Sequence, residues 1–338
     1  MATAKKLKSG KWRTLVYSHT ENGKRKYESF TADTKKESEY LAAEFAISKE
    51  TKGQECLSMT FGKALDDYIN KRSSVLSPAT IREYKRLRQK NLKLIIDISL
   101  KDITQQLIQE QVNEEAITHS AKSVRNMHGL ISAILKVYRP DFALHTALPK
   151  KVRPNIYIPT DVEIKHLLKT VENTSLEIPV LLAAFGPMRR GEICALDSDD
   201  IVGNIIHVRR SMVLNEHKDW IVKSPKSYAG DRYIEFPDFV IDKLKDIEGS
   251  ITSLTPDNVT KKFVNTLKRI GLKHFRFHDL RHYNASISHA LGIPDQYIMT
   301  RGGWSSDRVL KNVYRHTMSD RMQQMTNKAN EHFKTLLE

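Results

Sequence analysis

The chain is 338 residues long, 40% hydrophobic, with a formal net charge of +15. That length holds two or three domains of ordinary size, and the apolar content lies well above the disordered range. A cation surplus this large calls for an acidic partner, nucleic acid before an anionic membrane surface. The sequence holds no apolar run long enough to span a bilayer and no secretory leader pattern, so no membrane partner is expected. Its two cysteines, Cys56 and Cys194, lie far apart, which suits neither a disulfide framework nor a zinc site. An intracellular, cytoplasmic protein is the expectation.

The surplus is uneven: +4 over residues 1–57, +6 over 58–150 and +5 over the much longer 151–338. The front of the chain therefore reads as binding modules ahead of a more balanced domain. In it, WRTLVY and KYESF are β-prone runs joined through Glu21-Asn22-Gly23, and Asn-Gly between such runs signals a hairpin. Eight basic residues against one acid fall between Lys5 and Lys26. Lys11, Arg13, Lys24, Arg25 and Lys26 are accordingly candidates for DNA contact through a β-ribbon. A helix is expected over residues 34–48, with Tyr40, Leu41, Phe45 and Ala46 near one face. Residues 50–58 lack periodicity and read as a linker.

From Thr60 to Tyr138 the pattern is four short amphipathic helices. The first places Phe61, Leu65, Tyr68 and Ile69 on one face. The second opens at Ser77-Pro78 and carries Arg82, Lys85, Arg86, Arg88, Lys90 and Lys93 with only Glu83 opposing. Arg82, Lys85 and Arg86 are candidate DNA contacts, although a solvated face is the ordinary explanation of a basic helix. The last buries Val124, Met127, Ile131, Ile134 and Tyr138. Four prolines over residues 140–159 mark the main boundary.

The third segment starts a helix at Thr160-Asp161 and runs through the apolar LEIPVLLAAFG to Pro187-Met188-Arg189-Arg190-Gly191-Glu192. Three β-prone runs follow at 204–214, 219–223 and 231–236, with Lys226 near the tip of the last turn. Helices are then expected from Thr255-Pro256, Pro294 and Ser306-Asp307, with an amphipathic tail at 319–336. The fold class read from these elements is a multidomain α+β chain. It has an N-terminal β-hairpin or three-stranded sheet plus helix, a helical domain, and a mainly α domain with a small antiparallel β-sheet.

In the third segment His278 and Arg281 stand at i, i+3, on one helix face, and both residue types bind anions. GPMRRGEICALDSDDI, PKSYAGDR, HDLRH, GGWSSDRV and VYRH resemble, in order, the sequence boxes of the tyrosine recombinase (phage integrase) family. The resemblance spans 155–316 and extends loosely forward. It implies an arm-type DNA-binding domain at 1–50, a helical core-type DNA-binding domain at 58–150 and a catalytic domain at 155–338. It implies a three-domain integrase of a temperate phage or conjugative transposon. Such an enzyme cuts and rejoins DNA at attachment sites as a homotetramer and stays with the nucleoid of a bacterial host, alongside an excisionase and a host DNA-bending protein.

The resemblance also assigns roles. Tyr314 would attack the phosphodiester to give a 3′-phosphotyrosyl intermediate. Arg189 and Arg281 would hold the phosphate oxygens, and His278 would act as general acid or base. Lys226 would protonate the leaving 5′-oxygen, with Lys223 close by in sequence. Trp304 takes the place where many members have histidine; its indole N–H can donate to phosphate but cannot shuttle a proton. Glu192 would support the site by bonding backbone or arginine. With so many cations, no metal or other cofactor is called for. Two positions depart from the pattern: Pro187 stands where glycine is usual, and Gly230 where serine is usual in the lysine hairpin. The rival readings are a type IB topoisomerase-like enzyme with the same chemistry, and a DNA-binding regulator without catalysis.

Overall fold

The computed structural model describes residues 3–21, 24–152, 157–225 and 228–306. The chain divides into two compact units, Met1–Leu76 with Glu83–Val152, and Ser77–Arg82 with Arg153–Glu338. The Asn22-Gly23 turn, Lys226, the helix start at Ser306-Asp307, Tyr314 and the 319–336 tail lie outside the described residues, apart from Ser306 itself.

The first unit opens with strands β1 (Lys5–Lys6), β2 (Trp12–Glu21) and β3 (Lys24–Ala32), an antiparallel sheet in the order β1-β2-β3. Arg13 pairs with Thr31 and Tyr17 with Tyr27, with a register shift between Tyr17 and His19. Side chains alternate across a strand. Arg13, Leu15 and Tyr17 therefore point to the exposed face while Thr14 is fully buried on the other. Tyr17 and Tyr27 meet edge-on at 6.1 Å on the open face.

Helix α1 (Lys35–Ser58) is capped by Thr34, whose side chain accepts the Glu37 N–H. It runs ten residues past the expected end at residue 48, and the presumed linker 50–58 is helical. Glu, Gln, Lys, Cys and Leu all tolerate the helix, and the single Gly53 costs only about 1 kcal/mol against alanine. Its buried face also differs from the expected one. Ser38 and Ala42 are buried while Tyr40 and Leu41 are exposed. The small residues let the helix lie close: Ser38 Oγ lies 2.8 Å from Thr14 Oγ and donates to the Phe30 carbonyl at 2.9 Å, and Phe45 packs on the Phe30 ring at 5.1 Å.

Helices α2 (Phe61–Asn70), α3 (Pro78–Lys90), α4 (Gln105–Thr118) and α5 (Ala121–Tyr138) follow, as the periodicity predicts. Thr60, Thr104 and Ser120 each accept a backbone N–H at the start of their helices. The core takes Phe61, Leu65 and Ile69 from α2, and the predicted α5 stripe of Val124, Met127, Ile131, Ile134 and Tyr138. Among the described residues no helix is long and apolar enough to cross a membrane.

The second unit is mainly helical: α6 (Asp161–Val171), α7 (Glu177–Phe185), the short α8 (Arg190–Ile193), α9 (Asp238–Ile241), α10 (Pro256–Arg269), α11 (Asp279–Ala290) and α12 (Asp295–Gly302). Thr160 caps α6 in a reciprocal box with Glu163, and Thr255 caps α10 ahead of Pro256. One hydrophobic core joins Val180 and Leu182 of α7, Val259 and Phe263 of α10, Leu280 of α11 and the strand residues Ile206 and Ile234.

There are two small sheets where the sequence suggested one. Strands β4 (Ile201–Val202), β5 (Ile205–Val208) and β8 (Arg232–Glu235) form the first, in the order β4-β5-β8. Strands β6 (Ser211–Leu214) and β7 (Trp220–Lys223) form the second. The continuous run 204–214 breaks at Arg209-Arg210, because both arginines turn onto the buried Asp200 carboxylate at 2.6 Å each. Burial alone would raise that carboxyl, but the two guanidiniums outweigh it and hold it below its ordinary range.

Candidate active site

The site is assembled from three turns of the second unit. The first lies between α7 and α8. Gly186 sits there under the Phe236 ring, where an added Cβ would come within 1.7 Å, so the chain reaches Pro187 and Arg189 only with glycine at that point. Arg189 precedes α8, and its backbone N–H donates to Glu192 Oε2 at 2.8 Å. Its side chain donates to Glu192 Oε1 at 2.6 Å and to the Gly303 carbonyl at 2.7 Å. Glu192 is buried, as a supporting residue should be. Burial pushes its carboxyl up, but Arg232 and Arg189 outweigh that and hold it below the ordinary glutamate range.

The second turn leads into α11. Phe275 and Phe277 lie in the core against Phe263, at 5.5 and 5.3 Å, and so anchor the chain just ahead of His278. His278 stands at the N-cap position without using its side chain as a cap. One helical turn on, Arg281 is 1% exposed and donates through Nη1 to the Pro187 carbonyl. The unusual proline thus supplies the acceptor that orients the second arginine. Arg281 Nε and Nη2 are buried and have no hydrogen-bond partner among the described residues. Burial first, then the charges of Arg189 and Arg232, push this guanidinium well below the ordinary arginine range, against an opposing pull from Glu192. The arrangement is short of negative charge, and an oxyanion is what would satisfy it.

The third turn closes α12. Gly303 takes φ +63°, the left-handed conformation that glycine adopts without strain, and Trp304 follows it, buried. The Trp304 ring lies 3.9 Å from the Arg281 guanidinium carbon and packs with Ala285 and Ile298. In this geometry Trp304 is a cation–π platform for the arginine.

His278 and His282 meet edge-on at 4.9 Å. Desolvation by packed neighbours, followed by the charges of His282, Arg281 and Arg189, pushes the His278 imidazole below its ordinary range, with Asp279 pulling the other way. The residue is exposed, so solvent screens part of this push. A histidine kept neutral at physiological pH is a proton acceptor. Burial pushes His282 down to about 4.

Of the six catalytic candidates, four converge here: Arg189, His278, Arg281 and Trp304. Lys226 and Tyr314 lie outside the described residues. The expected lysine hairpin is instead the connection between β7 and β8, which lie in different sheets, and its described part explains Gly230: a Cβ there would come within 2.7 Å of the Pro225 Cβ. Arg232 was not singled out from the sequence, yet it is buried and bonded to Glu192. The signal was available, because Arg232 shares the inward phase of β8 with Ile234, and an arginine in that phase demands an acid.

Among the DNA candidates, Lys11, Arg13, Arg25 and Lys26 are exposed on the N-terminal sheet, while the side chain of Lys24 lies outside the described residues. Lys11 pairs with Asp33 at 3.4 Å. On α3, Arg82 and Lys85 are exposed. Arg86 is half-buried and engaged by Glu83 at 2.9 and 2.7 Å and by Asn91 at 3.2 Å.

Residues 160–321 match the model described as "Phage integrase family". No curated protein sequence matches the chain. The fold is similar to that of the Tn1549 transposon integrase (residues 82–397, Y379F) in complex with transposon right end DNA. The TM-score is 0.66 at 14% identity, covering 80% of this chain and 99% of that one. A lambda integrase dimer bound to a COC′ core site aligns with TM-score 0.60 and 18% identity, over 94% of this chain and 95% of that one. A lambda integrase tetramer bound to a Holliday junction gives 0.57 and 19%, over 92% and 94%. Residues 160–321 thus belong to the phage integrase family, and the chain carries a tyrosine recombinase domain.

Proposed function

We propose that the chain is a site-specific DNA recombinase that integrates and excises a mobile element through a 3′-phosphotyrosyl intermediate at Tyr314. The observation that carries this reading is the buried edge of Arg281, two N–H-bearing nitrogens without partners among the described residues, beside Arg189. An uncompensated buried donor costs about 1–3 kcal/mol, and a scissile phosphate relieves that cost. Two guanidiniums then hold the non-bridging oxygens and the charge that builds in the pentacoordinate transition state. Neutral His278 accepts the phenol proton, since a tyrosine of pKa about 10 needs a base at neutral pH. Lys226, four residues before Gly230 in the sequence, protonates the departing 5′-oxygen.

The domain assignment of 1–50, 58–150 and 155–338 belongs to the same reading. The open face of the N-terminal sheet, with Arg13, Arg25 and the Tyr17–Tyr27 pair, reads arm-type DNA, and α3 holds the core site by its backbone. Four copies act together on paired sites, with an excisionase and a host DNA-bending protein setting direction. Solved lambda and Tn1549 integrases bound to DNA, one a tetramer on a Holliday junction, support the assignment. The host is bacterial and the enzyme works on nucleoid DNA.

The test uses a nicked duplex taken from the junction between the element and its host. The wild-type chain is expected to form a protein–DNA adduct that survives denaturant, and Tyr314→Phe to bind the duplex but form none. An adduct of unchanged yield with Tyr314→Phe would overturn the nucleophile assignment. Relaxation of supercoiled DNA lacking any junction sequence, without recombinant products, would favour a type IB topoisomerase-like activity instead.

A further inference from the structure

Arg232 makes four hydrogen bonds within the site, and the proposed reaction gives it no part. It is 5% exposed. Its guanidinium reaches three separate segments. Nη2 donates to Glu192 Oε2 at 2.9 Å and Nη1 to Glu192 Oε1 at 3.3 Å. Nη1 also donates to the Gly230 carbonyl at 3.2 Å, and Nε to the Arg301 carbonyl at 2.9 Å. Each segment leads to a residue of the proposed chemistry. Glu192 holds Arg189, Gly230 ends the β7–β8 connection in which Lys226 falls by sequence, and Arg301 stands in the last turn of α12 before Trp304.

We propose that Arg232 is a positioning residue for strand cleavage: it occupies the far side of Glu192 and thereby sets where the Arg189 guanidinium points. This rests on the cleavage chemistry proposed above. The physical case starts from Glu192, a buried carboxylate gripped from two sides. With Arg232 present each Glu192 oxygen accepts from both arginines, Oε1 from Arg189 Nη1 and Arg232 Nη1, Oε2 from the Arg189 backbone N–H and Arg232 Nη2. The cluster of Arg189, Arg281, Arg232 and Glu192 keeps a net positive charge for the phosphate. Without Arg232, Arg189 is the one guanidinium left bonded to Glu192 among the described residues. Glu192 then either holds its existing Arg189 pair more tightly, away from the phosphate, or takes up a proton and releases it. Both outcomes damage the reacting geometry without touching the DNA-binding surface.

Lysine cannot replace it. An ammonium is a single point with three donors, whereas Arg232 spreads its bonds along a planar fork that spans a carboxylate and two carbonyls. The space is also fixed: a Cβ at Gly303 would lie 3.1 Å from Arg232 Cδ and 3.2 Å from its Nη1. Gly303 is the residue whose carbonyl takes the other Arg189 bond, at 2.7 Å. Both arginines therefore lean on one turn.

The test compares wild type, R232K, R232M, E192Q and the R232M/E192Q double variant in the full chain. Three quantities are read: thermal midpoint, affinity for the nicked junction duplex, and single-turnover rate of covalent adduct formation. R232K is expected to bind DNA within about threefold of wild type and to form the adduct about 100-fold more slowly, the scale of an ångström-level misplacement. The double variant is expected to be no slower than R232M, because residues that act through one another are non-additive. R232K decides the matter if R232M does not fold. Adduct formation by R232K at the wild-type rate overturns the proposal, as does a double variant in which the two losses multiply. Equal losses in DNA affinity and in cleavage overturn it too, since they mark a merely structural residue. A wild-type chain that forms no adduct overturns the cleavage reading and this one with it, so the two failures are told apart by the wild-type lane.

Discussion

The Arg281 guanidinium carbon lies over the Trp304 ring, 3.9 Å from its centroid, while Arg281 Nη1 is anchored to the Pro187 carbonyl. With the ring on one face and the carbonyl at one end, Nε and Nη2 form an edge without a hydrogen-bond partner among the described residues. Trp304 therefore supports the guanidinium whose two N–H groups would meet the phosphate in the proposed reaction. Trp304→Ala removes the platform and opens a cavity, which costs about 3–5 kcal/mol. Trp304→Phe keeps a ring and is expected to leave the chain folded, with adduct formation about tenfold slower, a cation–π loss of about 1 kcal/mol plus some misalignment. Single-turnover cleavage beside a thermal melt checks this. Wild-type cleavage by Trp304→Ala would show that the stacking is incidental.

The paired histidines predict how stability responds to acid. His282 is buried, its Nδ1 has no partner among the described residues, and it is pushed down to about 4. In the unfolded chain it returns to about 6.5. Between those values the unfolded state binds more protons, so stability rises with pH in that window. The contribution is complete above about 6.5 and is lost as pH falls toward the folded value; His278 shifts in the same direction. The thermal midpoint of the full chain is expected to drop from pH 6.5 to 5, ahead of the main carboxylate titrations. His282→Gln should flatten that stretch, and a midpoint that stays level in wild type would contradict the assignment.

Much of this was legible beforehand, for identifiable reasons. Helix starts were read correctly wherever Ser or Thr accepts a backbone N–H, at Thr60, Thr104, Ser120, Thr160 and Thr255. The α5 stripe followed from its period alone. What failed depended on partners distant in sequence. The buried face of α1 is set by Ser38 meeting Thr14 across the sheet, and hydrophobicity ranks a serine below Tyr40 and Leu41. The break in the 204–214 run comes from Asp200 claiming Arg209 and Arg210. Arg232 stayed unassigned because its acid, Glu192, is forty residues upstream.

Two of the three arginines of α3, Arg82 and Arg86, separate charge from scaffolding. Arg82 is exposed, whereas Arg86 is held by Glu83 and by Asn91, which itself donates to Glu115 at 2.7 Å. Arg82→Ala is expected to weaken binding to any duplex and to lower the slope of log affinity against log salt by about 1. Arg86→Ala should change that slope less and lower stability by up to about 1 kcal/mol, the range of an exposed ion pair. Filter binding across a salt series distinguishes them. Equal slope changes would place both arginines on the phosphates.

Gly302 offers a way to move the Trp304 platform without touching any catalytic candidate. A Cβ at this position would sit 2.0 Å from Trp304 Cζ3 and 2.2 Å from its Cε3. An indole cannot bend, so Gly302→Ala must displace the ring, and with it the surface that carries Arg281. The stability change is expected to be small, because overpacking costs about 1–3 kcal/mol while alanine in the helix returns up to about 1 kcal/mol. The cleavage rate should nonetheless fall at least tenfold, since the guanidinium edge moves with its support. Gly129→Ala in α5 is the control: its Cβ meets nothing within 4 Å, so it should stabilise by about 0.5–1 kcal/mol and leave cleavage unchanged. If Gly302→Ala cleaves as fast as Gly129→Ala, the position of the indole does not govern the arginine, and the link from Gly302 through Trp304 to Arg281 is broken.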